Sequence, residues 1–264
     1  MYDFAYHKPK SAADAVAQVK KSDEGKFMAG GMTLIPTLKQ RLARPSDVVD
    51  LGAIGDLKGI KVDGSGVTIG AMTKHADVAS SAEVAKAIPA LAKLAANIGD
   101  AQVRNRGTIG GSVANNDPAA DYPAALVALG ATVHTNERKI AADDFFKGMF
   151  ETALKDGEMI TAVSFPVPKK AAYMKFPNPA SRYAMVGVFV ADTSGGARVA
   201  VTGAGPGVFR VKDMEAALGK SWSADSVANI KVPAGGLNND IHASREYRAH
   251  LVTVMAKRAV AAAG

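Results

Sequence analysis

The chain has 264 residues, 48% hydrophobic and 22% charged, and no apolar run approaches the roughly 18–20 residues of a membrane-spanning helix. It contains no cysteine, which excludes disulfides, thiolate catalysis and cysteine-ligated zinc or iron–sulfur centres within this polypeptide. The net charge of +7 arises from lysines and arginines spread along the chain, and aromatics make up only 6%, so nucleic-acid binding is not expected. The first residues lack a basic segment followed by an apolar one, and the expected location is the cytoplasm.

In chain order, Ser11 with Asp14 three residues on reads as a helix N-cap, and Ala12, Ala15, Val16 and Val19 recur at helical spacing. Phe27, Met28 and Ala29 form a short apolar strand candidate that ends at Gly30-Gly31. A helix follows over 33–42, where Pro36 is tolerated in the first turn, and a strand is expected at 48–51. These pieces make a β-α-β-α-β unit ending near Ile54. Residues 59–62 and 67–70 flank Asp63-Gly64-Ser65-Gly66, a hairpin signal. Residues 74–97 read as two or three helices with a break near Pro89, and strands are expected at 131–135 and 159–165. Pro166-Val167-Pro168-Lys169-Lys170 marks a domain boundary. Beyond it, strands at 173–176, 184–191, 197–202 and 208–211 suggest an antiparallel meander, with helices over 223–230 and 243–260. Strands followed by helices without regular alternation indicate an α+β domain.

Most motif-like segments carry no chemistry. Gly203-Ala204-Gly205-Pro206-Gly207 lacks the third glycine of a dinucleotide fingerprint, having Val208 there, and reads as a hairpin turn. The histidines His7, His75, His134, His242 and His250 lie far apart without ligand spacing, so each is expected at the surface or at a helix cap, and no metal site is assigned. Asp143-Asp144 reads as a helix N-cap before Phe145-Phe146. No side chain is assigned a catalytic role.

Two glycine pairs remain. Gly30-Gly31 and Gly110-Gly111 each follow an apolar run, and paired glycines can leave backbone N–H groups bare for a large anion such as a phosphate. Two such loops suggest one ligand, such as a pyrophosphate, held from both sides, with hydroxyls from Thr33, Thr108 and Ser112. Asp121, an acceptor when ionised, suits a ribose or ribityl hydroxyl instead. On pattern alone, tight turns without a ligand remain an open reading.

Ala29-Gly30-Gly31-Met32-Thr33-Leu34-Ile35-Pro36, Gln102-Val103-Arg104-Asn105-Arg106-Gly107-Thr108-Ile109-Gly110-Gly111-Ser112 and Asp117-Pro118-Ala119-Ala120-Asp121 closely resemble the FAD-binding medium subunit of molybdenum hydroxylases. That is the family of aerobic carbon monoxide dehydrogenase and xanthine dehydrogenase. Ser244-Arg245-Glu246-Tyr247-Arg248 and Arg258-Ala259 also look like its C-terminal domain. The resemblance implies an α+β chain with a two-subdomain FAD-binding fold of the PCMH type, over 1–54 and 55–168, followed by a C-terminal domain of antiparallel sheet and helices over 169–264. It implies that Ala29, Gly30, Gly31, Met32 and Thr33, together with Thr108, Ile109, Gly110, Gly111 and Ser112, hold the FAD pyrophosphate, with Met28 leading into the first loop. Asp121 would contact the sugar-like portion, and Ile160 and Lys175 match positions near the cofactor. Ile98 falls where relatives place an aromatic against the flavin. The implied partners are a large subunit with the molybdenum cofactor and a small subunit with [2Fe-2S] clusters, in a dimer of heterotrimers. A stand-alone FAD oxidoreductase and a flavin-free assembly subunit are the competing readings.

Overall fold

A computed structural model describes residues 1–64 and 66–263; Ser65 of the expected hairpin turn and Gly264 lie outside the described residues. The first unit runs β1 (Ala5–His7), α1 (Ala12–Lys21), β2 (Gly25–Met28), α2 (Leu34–Lys39) and β3 (Asp47–Asp50). Its three strands pair in the order β1-β3-β2, all parallel, as helical crossovers demand. Ser11 caps α1 by accepting from the Asp14 amide at 3.1 Å, which fixes the helix phase so that Ala15 and Val19 are buried. Val48 and Val49 of the central strand are both buried.

The second unit begins with the antiparallel pair β4 (Ile60–Asp63) and β5 (Gly66–Gly70), then the helices α3 (His75–Ser80), α4 (Ala82–Ala87) and α5 (Pro89–Ala96). Ser81 caps α4 at the Val84 amide, 3.2 Å away, and Pro89 opens α5 where its missing N–H costs nothing. There follow α6 (Ala101–Arg104), α7 (Ile109–Asn115), α8 (Tyr122–Leu129), β6 (Thr132–Thr135), β7 (Lys139–Ala141), α9 (Ala142–Phe145), β8 (Phe146–Gly148), β9 (Glu151–Thr152) and β10 (Ile160–Phe165). Five of these strands form an antiparallel sheet in the order β4-β5-β10-β6-β7, and β8 and β9 form a separate small hairpin.

The last unit is the meander β11 (Lys170–Pro177), β12 (Ala184–Thr193), β13 (Gly196–Thr202) and β14 (Phe209–Arg210), followed by α10 (Lys212–Lys220), α11 (Ala224–Val227) and α12 (Arg245–Ala262). Alternation along β12 explains its continuous apolar sequence. Val186, Val188 and Val190 join the core under α12, whereas Phe189 and Ala191 join the core built around α8. Each large side chain so buried contributes about 1.5–3 kcal/mol relative to exposure. Helix α8 is buried at every position from Tyr122 to Leu129, consistent with a helix enclosed on all sides.

The α+β architecture with a terminal antiparallel sheet agrees with the sequence reading, with four corrections. Gly110 and Gly111 are not in a loop; they occupy the first turn of α7. Asp143 and Asp144 do not cap α9, whose N-cap is Ala141 without a side-chain bond. Asp143 accepts instead from Arg198 Nη2 at 2.6 and 2.8 Å, tying the second unit to the third. The expected helix over 223–230 is one turn, and α10 lies in a segment left without a helix. Gly203 makes the hairpin turn expected there, with φ +79 and no room for a side chain beside the Ala184 carbonyl.

Candidate functional site: a cavity between two glycine turns

The turn after β2, the N-terminal end of α7 and the turn between β11 and β12 surround one cavity of about 740 Å³. Glycine is required where its first two walls cross. A Cβ on Gly30 would stand 2.1 Å from the Arg106 carbonyl oxygen and 2.9 Å from the Gly107 Cα. Only a hydrogen in that position lets the β2–α2 turn touch the backbone entering α7. Gly31 follows with φ +73, and its carbonyl accepts from Ile35 to start α2.

The second glycine pair works differently from the bare anion loop expected for it. The amides of Ile109 and Gly110 donate to the Thr73 and Ala71 carbonyls at 3.1 and 2.9 Å, and Gly111 donates to the Thr108 hydroxyl at 3.2 Å. Thr108 is thus the N-cap of α7, and Gly110 is small because the helix rests on Ala71, whose Cβ would be 2.5 Å from an added side chain. Gly111 faces the first turn, with Ala29 Cβ 3.3 Å from where its own would be. The pair therefore sets the first turn of α7 against the cavity wall, with its amides already bonded inside the protein.

Asp121 closes the far side. Its carboxylate receives the Tyr173 hydroxyl at 2.5 Å and the Lys175 ammonium at 3.0 and 3.1 Å, and Lys175 also donates to the Asn97 carbonyl at 2.8 Å. Burial pushes the Asp121 carboxyl upward, opposed by the Lys175 charge and the Tyr173 hydroxyl. A carboxylate has about four lone-pair positions, so these bonds leave capacity for one further donor.

Two features of the wall were not legible beforehand. His75, expected at the surface or a cap, is buried against the cavity with its ring centroid 5.4 Å from that of Tyr122. Its Nδ1 has no protein partner, and burial, aided by the Arg104 charge, lowers its pKa to about 4. The opposite edge of the ring explains Gly107, whose Cβ would be 2.7 Å from His75 Nε2. Glu158 also borders the cavity and accepts from Arg138 Nε and Nη2 at 3.0 Å, the Thr135 hydroxyl at 2.7 Å and the Lys155 amide at 2.9 Å. The Arg138 guanidinium and these donors hold its carboxyl at about 2. The fixed carboxylate sets the path of the segment that delivers Met159 and Ile160 to the wall.

Of the residues singled out from sequence, Ala29, Gly30, Gly31, Met32, Thr33, Thr108, Gly110, Gly111, Ser112, Asp121 and Ile160 line this cavity, as does Ile98. Met28 lies in β2, Ile109 is the fully buried first residue of α7, and Lys175 stands behind Asp121. Phe150, Leu154, Arg182 and Tyr183 also line it and were not anticipated, because each arrives from a turn without a recognisable pattern. No cluster of metal-ligating side chains is present among the described residues, and no helix there is long and apolar enough to cross a membrane.

A cradle of this kind fits a phosphate-bearing cofactor: two glycine turns in contact, the first turn of a helix, a buried carboxylate with spare acceptor capacity and an orphaned imidazole nitrogen. Residues 2–168 match the family model described as the FAD binding domain in molybdopterin dehydrogenase, and residues 171–263 match the CO dehydrogenase flavoprotein C-terminal domain. The chain is 36% identical over 273 residues to the nicotine 6-hydroxylase medium subunit of Paenarthrobacter nicotinovorans, covering 98% of this chain and 96% of that one. It is 43% identical over 204 residues to the carbon monoxide dehydrogenase medium chain of Afipia carboxidovorans, covering 74% and 70%. Its fold matches a chain of carbon monoxide dehydrogenase from Hydrogenophaga pseudoflava with TM-score 0.90 and 36% identity, covering 99% and 97%. The protein belongs to the family of FAD-binding medium subunits of the molybdenum hydroxylases, and its cofactor is FAD.

Proposed function

We propose that this chain is the electron-transfer subunit of a multi-subunit molybdenum hydroxylase in the cytoplasm. Its partners would be a large subunit holding the molybdenum cofactor and a small subunit holding [2Fe-2S] clusters, assembled as a dimer of heterotrimers. The observation that carries the proposal is the meeting of both glycine turns at one cavity in a chain without cysteine. Such a chain can hold a flavin dinucleotide and cannot hold a cysteine-ligated cluster. When bound, FAD supplies the redox step that joins the clusters of the small subunit to an external acceptor.

The chain's own residues bind and orient. Gly30 to Thr33 and Thr108 to Ser112 supply the cradle for the pyrophosphate, the latter as the first turn of α7. Asp121, oriented by Tyr173 and Lys175, accepts from a sugar-like hydroxyl. Met28 supports the first turn from β2, Ile109 anchors α7 by its buried side chain, and Ile98 and Ile160 give apolar wall to the ring systems. We assign residues 1–54 and 55–168 to the two FAD-binding subdomains and 169–264 to the C-terminal domain. Among the described residues no buried acid–base pair stands in the cavity free of structural partners, which favours transfer of electrons over substrate chemistry in this subunit.

The test is to co-express the chain with its genomic neighbours and record the visible spectrum of the purified complex. Flavin bands together with iron–sulfur absorption are expected. A colourless, well-folded complex would overturn the proposal.

A further inference from the structure

The small hairpin of β8 and β9 turns through only two residues, Met149 and Phe150, and the second has φ +57. Glycine or asparagine is the low-strain choice for such a position, and a bulky aromatic there is an outlier. The ring is not what holds it, since Phe150 is 58% exposed. The backbone does. Asn116, itself at φ +45 and buried, is the C-cap of α7 and donates from Nδ2 to the Gly148 and Glu151 carbonyls at 2.8 Å each, while its own carbonyl accepts from the Phe150 amide at 3.2 Å. One side chain thus grips the turn on both sides of Phe150. The ring so presented lines the cofactor cavity.

A second non-glycine residue with positive φ, Arg182 at +63, also lines the cavity from the β11–β12 turn. Of the four such residues described, Arg41, Asn116, Phe150 and Arg182, two border this cavity and a third fixes Phe150. Backbone strain retained by surrounding structure concentrates where a function needs it.

We propose that Phe150 is a cofactor-binding residue whose ring packs against a planar ring of the bound dinucleotide, and that Asn116 is its positioning residue. The inference rests on FAD occupying this cavity. Helix α7 then serves the cofactor at both ends: its first turn meets the phosphates, and its C-cap holds the aromatic side chain. The strained turn is kept because a glycine there would relax the hairpin and remove the ring.

The experiment compares the wild-type protein, Phe150→Gly, Phe150→Tyr and Asn116→Ala, each stripped of flavin and titrated with FAD and with FMN, alongside thermal unfolding of the flavin-free form. Phe150→Gly is expected to bind FAD roughly 10- to 100-fold more weakly, the range of a lost base–aromatic stack, while its flavin-free unfolding midpoint stays level or rises. Phe150→Tyr should bind as the wild type does, and Asn116→Ala should follow Phe150→Gly in affinity. Weakened FAD with unchanged FMN binding assigns the ring to the adenine. Weakening of both, with a shift of the flavin absorption bands, assigns it to the isoalloxazine. A Phe150→Gly protein that binds FAD as tightly as the wild type overturns the proposal and leaves the cavity assignment standing. A wild-type protein that binds no FAD overturns both.

Discussion

His75 and Asp121 show how burial beside the cavity acts on single groups. An imidazole kept at about 4 stays neutral where the unfolded chain, with a histidine near 6.5, is already protonated. The folded-state pKa is the depressed one, so the unfolded state binds the extra proton as pH falls from 6.5 to 4. Stability therefore drops across that window by about 1.4 kcal/mol per unit, roughly 3 kcal/mol in all, and the contribution levels off below it. Denaturant unfolding of wild type and His75→Gln at pH 7, 5.5 and 4 checks this: the wild type should lose stability relative to the variant, and parallel curves would refute it. None of this was legible from sequence. The isolated spacing of the histidines gave no hint that one of them is buried, because the burial of His75 depends on Gly107 and Tyr122, which only the fold brings to it. Asp121 was legible as an acceptor, whereas the Lys175 and Tyr173 groups that orient it come from β11 and leave no trace near it in sequence.

At the scale of elements, α7 shows why two adjacent glycines are not equivalent. A methyl at Gly110 would meet Ala71 at 2.5 Å, so Gly110→Ala is expected to destabilise by about 1–3 kcal/mol through overpacking. A methyl at Gly111 meets the Thr108 hydroxyl at 3.0 Å and Ala29 at 3.3 Å, contacts that small shifts relieve. There the gain in helix propensity, about 0.5–1 kcal/mol, offsets the crowding. Gly111→Ala should thus unfold near the wild-type temperature yet retain less FAD, since the added carbon narrows the gap between the two turns. Calorimetry together with flavin content per chain separates the two effects, and full flavin retention in Gly111→Ala would show that this gap carries no cofactor. The helix escaped detection because Ile109-Gly110-Gly111-Ser112-Val113-Ala114-Asn115 has too few apolar residues to display a helical period. Its ends were the available signal: Thr108 as N-cap and Asn116 in the left-handed region. By contrast, α1 with its Ser11 cap and the break at Pro89 were readable, because those ends are set by local chemistry.

Across the whole molecule, the third unit supports the cavity wall from behind. The Thr202 hydroxyl lies 3.1 Å from the Pro118 carbonyl and 2.6 Å from that of Ala120, and the Gly203 amide donates to Pro118 at 2.8 Å. Arg248 of α12 in turn donates to the Gly203 and Met185 carbonyls at 3.1 and 2.7 Å and to Asp240 at 2.7 Å. The segment carrying Asp121 is therefore held from the C-terminal sheet, which is held by the last helix. Thr202→Val preserves shape but removes the hydroxyl donor from the Ala120 carbonyl, while Pro118 keeps the Gly203 amide, and about 1–3 kcal/mol of stability should be lost. FAD should also dissociate faster, as release of flavin fluorescence would report; an unchanged rate would show that the wall does not need this support. The apolar run at 184–191 was readable as a strand of an antiparallel meander, and β12 lies there. What covers each face was not visible, because alternation specifies sides and not neighbours.

The contact at Gly30 has a consequence for how the cofactor is received. Two chain segments from different units touch there through a backbone approach that no side chain permits, 2.1 Å separating a hypothetical Cβ from the Arg106 oxygen. That crossing is made when the polypeptide folds, so the conformational entropy of assembling the cradle is charged to folding and not to ligand capture. In the proposed binding mode the phosphate seat is thus preorganised, and binding energy from the rest of the dinucleotide is free to position its reactive ring.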